Sequence, residues 1–171
     1  LIAGSYENKM DRERVVKSAL AYVEVRKLMD LQDCNGFTMP CPDACSTRRL
    51  NEIGFTACLT HSLNMEQGTP SSCEYDTDCV LSQQALMAVS GKSTYMGNTC
   101  PIPMEDGKIQ GRFGSTPEQL EKLQSMADNE NLYMMQHSVA HRNMNGKMDG
   151  KYAVHNFAID QGFGATIRYD F

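Results

Sequence analysis

Three acidic side chains stand close together near the middle of the chain and could perform acid–base or metal chemistry. Glu74, Asp76 and Asp78 lie within five residues of one another, in the stretch from Ser72 to Asp78. A short β-prone segment precedes them, and a helical pattern follows over residues 80–90. Open α/β sheets bind ligands beyond the carboxyl ends of their strands, so this position favours a functional site.

The spacing of these acids predicts different roles for them. On a strand, Glu74 and Asp76 would point to the same face, whereas Asp78 is expected to cap the following helix. Clusters of oxygen ligands suit hard cations such as Mg²⁺ or Mn²⁺. An acidic loop with one capping residue explains the spacing equally well.

A second carboxylate could come from the segment that follows Met39. Asp43 and Glu52 are the candidates, because the loop after a neighbouring or next-but-one strand would reach the same edge of the sheet. The alternative is that Asp43 is an ordinary turn residue and Glu52 a solvated helix residue.

The histidines and cysteines give weaker signals. His137 and His141 are four residues apart, but on a segment that resembles a strand, and the chain contains no His-Glu-x-x-His motif, phosphate-binding glycine loop or nucleophile elbow. The seven cysteines are irregularly spaced, which favours reduced thiols of a cytosolic protein over disulfides or a zinc motif. We therefore expect them to act as small buried hydrophobic residues.

Elements of alternating type are predicted in the first part of the chain. Helices are expected over residues 12–30, 57–66 and 80–90, and strands over residues 37–39, 73–76 and 93–97. This alternation predicts an α/β fold, a parallel sheet with crossover helices.

The character of the sequence changes after residue 98. A connector over 99–115 leads to a helix that starts at Thr116 and Pro117 and ends near residue 128, and three β-prone segments follow, over 132–139, 152–159 and 165–171. Strands joined by turns predict antiparallel, barrel-like β structure. We therefore divide the chain into a domain over residues 1–98 and the start of a β domain over residues 99–171.

Composition limits the function classes. The 171 residues are 41% hydrophobic and 22% charged with a net charge of −5, which indicates a folded chain and argues against binding to nucleic acid or to an anionic membrane. No apolar run approaches the roughly 20 residues that span a bilayer. The first residue is Leu1 and the chain stops within a strand-like segment, so we expect a piece of a longer protein.

Several landmarks in this order resemble the L-fucose/L-arabinose isomerase family. They are the run from Ala57 to Gly68, then Cys73-Glu74-Tyr75-Asp76, Ala85-Leu86-Met87 and Ser90-Gly91-Lys92, and later His137-Ser138, His155-Asn156-Phe157 and Gly162-Phe163-Gly164. The likeness covers most of residues 10–171. It implies that residues 1–98 end a Rossmann-like domain and that residues 99–171 begin the family's C-terminal β domain.

The resemblance implies a cytoplasmic, metal-dependent aldose–ketose isomerase that assembles as trimers or hexamers. In the family a Glu, an Asp and a His hold Mn²⁺ (or Mg²⁺), and the carboxylates also transfer protons between C1 and C2 of a sugar through an enediol. Asp76 matches the Asp. Glu52 is the preferred match for the Glu, with Asp43 held as the other choice.

The match is incomplete in one respect. The family's histidine ligand lies in an Asn-His segment that this chain does not contain, so the third ligand is expected beyond Phe171 and the fragment alone is expected to be inactive. A non-catalytic carbohydrate-binding or assembly module of the same fold is the main alternative. A metal-dependent hydrolase that uses the same acids is a weaker one.

Overall fold

The chain folds as a mixed α/β protein. The computed structural model describes residues 1–41, 43–44, 47, 49, 56–111, 117–127, 132–137, 139–156 and 165–169. The chain forms two compact units. One consists of Leu1–Met96 with Ser138–Phe171, and the other of Gly97–His137.

Four helices and nine short strands lie within the described residues. The helices are α1 (Arg12–Leu31), α2 (Cys58–Glu66), α3 (Thr77–Ser90) and α4 (Pro117–Met126). The strands are β1 (Glu7–Asn8), β2 (Phe37–Thr38), β3 (Ser71–Ser72), β4 (Asn98–Pro101), β5 (Met104–Glu105), β6 (Lys108–Ile109), β7 (Tyr133–Gln136), β8 (Tyr152–Asn156) and β9 (Ala165–Tyr169). The four predicted helices are thus confirmed, because their apolar periodicity and their Gly and Pro boundaries are strong local signals.

The larger unit is built around two hydrophobic clusters. Strands β1, β8 and β9 form one sheet, in which β1 pairs with β8 in parallel and β8 pairs with β9 in antiparallel orientation. Helices α1 and α2 and strand β8 enclose the first cluster, which contains Val15, Leu59, Leu63 and Val154. The second cluster contains Cys41, Ala57, Cys73, Met96 and Val139.

Strands β2 and β3 pair in parallel, as the alternation of elements predicts. Phe37 lies opposite Ser71 and Thr38 lies opposite Ser72. Helix α3 packs closely on this pair, because a Cβ atom at Gly36 would stand 2.9 Å from Cγ1 of Val80. A side chain at Gly36 would therefore push α3 away from the strands.

Two predicted strands are wrong in position. The strand predicted over 73–76 ends earlier, at Ser72, because Glu74 and Tyr75 adopt left-handed backbone conformations with φ of 66° and 58°. Residues 93–97 form no strand. The parallel part of this region is therefore two-stranded.

Helix α1 forms where predicted, but with a different buried face. Apolar residues at helical spacing predict this helix: Val15, Val16, Leu20, Val23 and Leu28. Val15 is buried, but the other four are exposed. The buried side of the helix includes Ser18 and Met29 instead. Periodicity therefore identified the helix but not the face that contacts the core.

The smaller unit contains α4 and two antiparallel strand pairs. Strand β4 pairs with β7, and β5 pairs with β6 in a hairpin. The segment predicted as a connector therefore carries three strands within its described part. The antiparallel prediction is confirmed, but the described strands form no closed barrel. No helix among the described residues is both long and apolar enough to cross a membrane.

Candidate functional site

Asp76 lies at the start of α3, where its side chain caps the helix. Its Oδ1 atom accepts a hydrogen bond of 2.7 Å from the backbone N–H of Cys79. The sequence-based assignment of the cap to Asp78 is therefore wrong, and Asp78 lies in the first turn instead. Asp76 remains exposed, so its carboxylate faces water while it caps the helix.

The turn before Asp76 is held in a strained conformation. Glu74 and Tyr75 both have positive φ angles, which cost a residue other than glycine roughly 1–2 kcal/mol each. Two hydrogen bonds hold the turn: Ser72 Oγ donates to the Asp76 carbonyl at 2.6 Å, and the Tyr75 N–H donates to the Met39 carbonyl at 2.9 Å. Glu74 and Asp76 do not share a strand face, contrary to the prediction.

The structure describes only one of the other two predicted carboxylates. Asp43 is exposed, and Glu52 lies outside the described residues. Among the residues that the structure describes, no group of three metal-ligating side chains includes Asp43 or Asp76. The pairing of Asp76 with Glu52 therefore stays a prediction.

A different set of side chains does converge, directly beneath this turn. The ligand atoms of Cys41, His61 and Cys73 all lie within 4.8 Å of one another, and all three residues are buried. The distance from Cys41 Sγ to His61 Nε2 is 3.6 Å. We call these three residues the Cys–His–Cys group.

The parallel strand pair explains why these residues meet. Cys41 follows β2 by three residues and Cys73 follows β3 directly, so both leave the strands at the same end. The Met39 carbonyl ties the two segments together, because it accepts N–H groups from Cys41 at 2.7 Å and from Tyr75 at 2.9 Å. His61 comes from α2, the helix between the two strands.

His61 is held in one orientation by Ser71 and Phe37. Its Nδ1 atom lies 2.8 Å from Ser71 Oγ, which also accepts a hydrogen bond of 3.2 Å from Asn64 Nδ2. The ring of Phe37 packs against the imidazole, with 5.3 Å between the ring centroids. Ser71 therefore engages one ring nitrogen and leaves Nε2 directed at the sulfur of Cys41.

The two sulfurs have opposite electrostatic tendencies. The side-chain hydrogen bond from Cys73 lowers the pKa of the Cys41 thiol most; burial opposes this shift, and His61 and the Glu74 backbone assist it. The same hydrogen bond, followed by burial, raises the pKa of Cys73. Because a thiol that donates to a thiolate stabilises the anion, the pair favours one thiolate, on Cys41, with the proton on Cys73.

This arrangement can provide a nucleophile or a set of metal ligands, since both chemistries require a thiolate. All six cysteines that the structure describes are free thiols. Sequence reasoning missed the group because it searched for ligands at fixed spacings along the chain. The available signal was the predicted parallel sheet, in which Cys41 follows one predicted strand and Cys73 begins the next.

The far end of α2 carries a buried ion pair. Glu66 is 2% exposed at its side chain, and Arg142 reaches it with Nε and Nη2 at 2.8 and 2.7 Å. Nearby, His141 Nε2 lies 2.7 Å from the Thr94 carbonyl, and burial lowers the pKa of the His141 imidazole. These contacts fix the helix that carries His61.

Comparison with known proteins yields no relative. No protein-family model, curated protein or solved structure matches the chain significantly. The function must therefore be argued from the residues themselves.

Proposed function

We propose that this chain contributes carboxylates to the site of a divalent-metal-dependent aldose–ketose isomerase. Asp76 is the principal ligand and proton-transfer group, and Glu52 is the preferred second carboxylate. The observation that supports the proposal most is the parallel pairing of β2 with β3. The exposed Asp76 carboxylate stands beyond the carboxyl end of β3, which is where sheets of this kind bind ligands.

The strained turn supports the same proposal. Non-glycine residues with positive φ persist only where the surroundings determine them, and they are frequent at functional sites. Here the conformation of Glu74 and Tyr75 turns the chain back, so that Asp76 begins a helix. The positive end of the α3 dipole and the N–H of Cys79 both interact favourably with this carboxylate.

The chemistry fits an exposed carboxylate at this edge. A bound divalent cation would polarise the carbonyl group of an open-chain sugar. Asp76 and the second carboxylate would move the proton between C1 and C2, a step that general acid–base groups accelerate by about 10²–10⁴-fold. The Asp76 oxygen that already accepts the Cys79 N–H would orient the side chain.

A metal titration with a matched control tests the assignment. We expect Asp76→Asn to weaken Mn²⁺ binding, measured by the electron paramagnetic resonance of free Mn²⁺, by at least about tenfold, the loss that even an outer-shell partner causes. Asp78→Asn removes the same charge two residues away. It should leave Mn²⁺ binding within about twofold of the wild type, because Asp76→Asn removes a metal ligand and Asp78→Asn does not. Equal binding by the wild type and Asp76→Asn would instead favour a non-catalytic carbohydrate-binding or assembly module.

The same titration identifies the second carboxylate. We expect Glu52→Gln to weaken Mn²⁺ binding and Asp43→Asn to leave it nearly unchanged. The reverse result would assign the ligand to Asp43. Because the chain contains no Asn-His segment, we expect it to bind metal but not to convert a sugar. Sugar turnover by this chain alone would show that the third ligand is not required.

A further inference from the structure

We propose that Cys41, His61 and Cys73 form a zinc site that is separate from the carboxylates at the surface. The inference does not depend on the isomerase proposal, because it uses different side chains and a different class of metal ion. Its basis is the convergence of two sulfurs and one imidazole nitrogen within 4.8 Å in the interior of the larger unit.

The distances fit tetrahedral zinc. Bond lengths of about 2.3 Å to sulfur and about 2.0–2.1 Å to nitrogen, at the tetrahedral angle, separate a sulfur and a nitrogen ligand by about 3.6 Å. The distance from Cys41 Sγ to His61 Nε2 is 3.6 Å. Two sulfur ligands would stand about 3.8 Å apart, and the Cys41 and Cys73 sulfurs lie within 4.8 Å of each other, which is close enough for both to reach one ion.

The ligand types select the ion. Two thiolates and an imidazole form a soft to borderline set that favours zinc, whereas Mn²⁺ and Mg²⁺ prefer carboxylate and carbonyl oxygens. Binding removes the remaining thiol protons to solvent, since both sulfurs must coordinate as thiolates. Three protein ligands leave one tetrahedral position for water or another small ligand.

The surroundings of His61 resemble the outer shell of a metal site. A zinc-ligating histidine donates its second N–H to a fixed partner, which sets the tautomer. Ser71 Oγ has two lone pairs and can accept both from His61 Nδ1, at 2.8 Å, and from Asn64 Nδ2, at 3.2 Å. That arrangement gives Nε2 the lone pair that faces the sulfurs, as coordination requires.

Cobalt substitution on the full chain tests the site. After removal of metal with a chelator, we expect one equivalent of Co²⁺ to produce thiolate-to-cobalt charge transfer and the intense visible bands of a tetrahedral ion, and one equivalent of Zn²⁺ to abolish them. Cys41→Ser, Cys73→Ser and His61→Gln should each lose the bands. Ser71→Ala should weaken binding by about 10–100-fold, as loss of an outer-shell partner does.

Matched controls separate coordination from general damage. Cys79→Ser removes a half-buried thiol that packs against the same cluster, and Cys34→Ser removes an exposed one; both should bind like the wild type. Asp76→Asn should also keep the cobalt spectrum, which distinguishes this site from the carboxylate site. The proposal would be overturned if Cys79→Ser or Asp76→Asn lost the cobalt bands as completely as Cys41→Ser.

A measurement on the wild type alone covers the case in which a ligand variant fails to fold. X-ray absorption at the zinc edge should give about two sulfurs near 2.3 Å and a nitrogen near 2.0–2.1 Å. A shell of oxygen and nitrogen only, or no stoichiometric metal in a chain whose circular dichroism shows it to be folded, would refute the site.

Discussion

The ion pair between Glu66 and Arg142 should be among the most important polar contacts for stability. Glu66 is buried, with 2% of its side chain exposed, and it accepts three hydrogen bonds from Arg142: from Nε at 2.8 Å, from Nη2 at 2.7 Å and from the backbone N–H at 3.1 Å. The arginine also stacks over the ring of Tyr152, 5.3 Å from its centroid. Arg142→Ala would remove two of the three hydrogen bonds and leave a buried carboxylate without its counter-charge.

The expected loss follows from that burial. Breaking a buried pair by removing one partner costs about 3–5 kcal/mol. Because the Arg142 side chain is 30% exposed, water can reach part of the vacated space, and we expect the lower end, about 3 kcal/mol. Arg142→Lys keeps the charge but not the two-pronged contact, so its loss should be smaller.

The surface pair of Lys27 and Glu24 is the matched control. Its Nζ–Oε1 distance is 2.8 Å, close to that of the buried pair, but both side chains are 67% exposed. Exposed pairs contribute about 0–1 kcal/mol, so Lys27→Ala should change stability little. The assay is urea unfolding followed by circular dichroism. Equal losses in Arg142→Ala and Lys27→Ala would refute the argument that burial, and not distance, determines the contribution.

Two further predictions concern stability. Burial lowers the pKa of His141 below its reference value of 6.5, so the imidazole binds a proton more readily in the unfolded chain than in the folded one. Stability should therefore decline as the pH falls below about 6.5. Urea unfolding at several pH values should show a smaller decline for His141→Asn. Asp76→Ala should lose about 1 kcal/mol through the missing helix cap, whereas Asp76→Asn, which can still cap, should lose little. A thermal melt that shows equal losses for the two Asp76 variants would contradict the capping role.

Local sequence signals predicted the helices well and some strands poorly. Residues 93–97 are β-prone, yet their polar groups bond elsewhere: Ser93 Oγ donates to the Met65 carbonyl at 2.5 Å, and Met96 Sδ accepts the Cys73 N–H at 3.2 Å. Both contacts are made by side chains, and no described strand pairs with this segment. The pairing of β1 with β8 joins Glu7 to Ala153, and no local pattern identifies a partner that far along the chain.

The candidate site was predictable in its location but not in its chemistry. The alternation of elements predicted a parallel sheet, and β2 does pair with β3 in parallel, so the segments after them meet. The acids of these segments were predicted as the metal ligands, because carboxylates at strand ends commonly bind cations. Cys41 and Cys73 occupy the same two segments but were interpreted as hydrophobic filler, since burial is the usual condition of a free cysteine.

Burial distinguishes the two proposed metal sites at this edge of the sheet. Asp76 is exposed, and water can complete the coordination of a hard cation there, as Mn²⁺ and Mg²⁺ sites commonly require. Cys41 and Cys73 are 5% and 6% exposed, so an ion beside them must exchange most of its water for protein ligands, which thiolates and imidazole supply to zinc. The two residues between Cys73 and Asp76 therefore separate a buried, sulfur-rich interior from an exposed, acidic surface, and each environment suits a cation that the other would bind poorly.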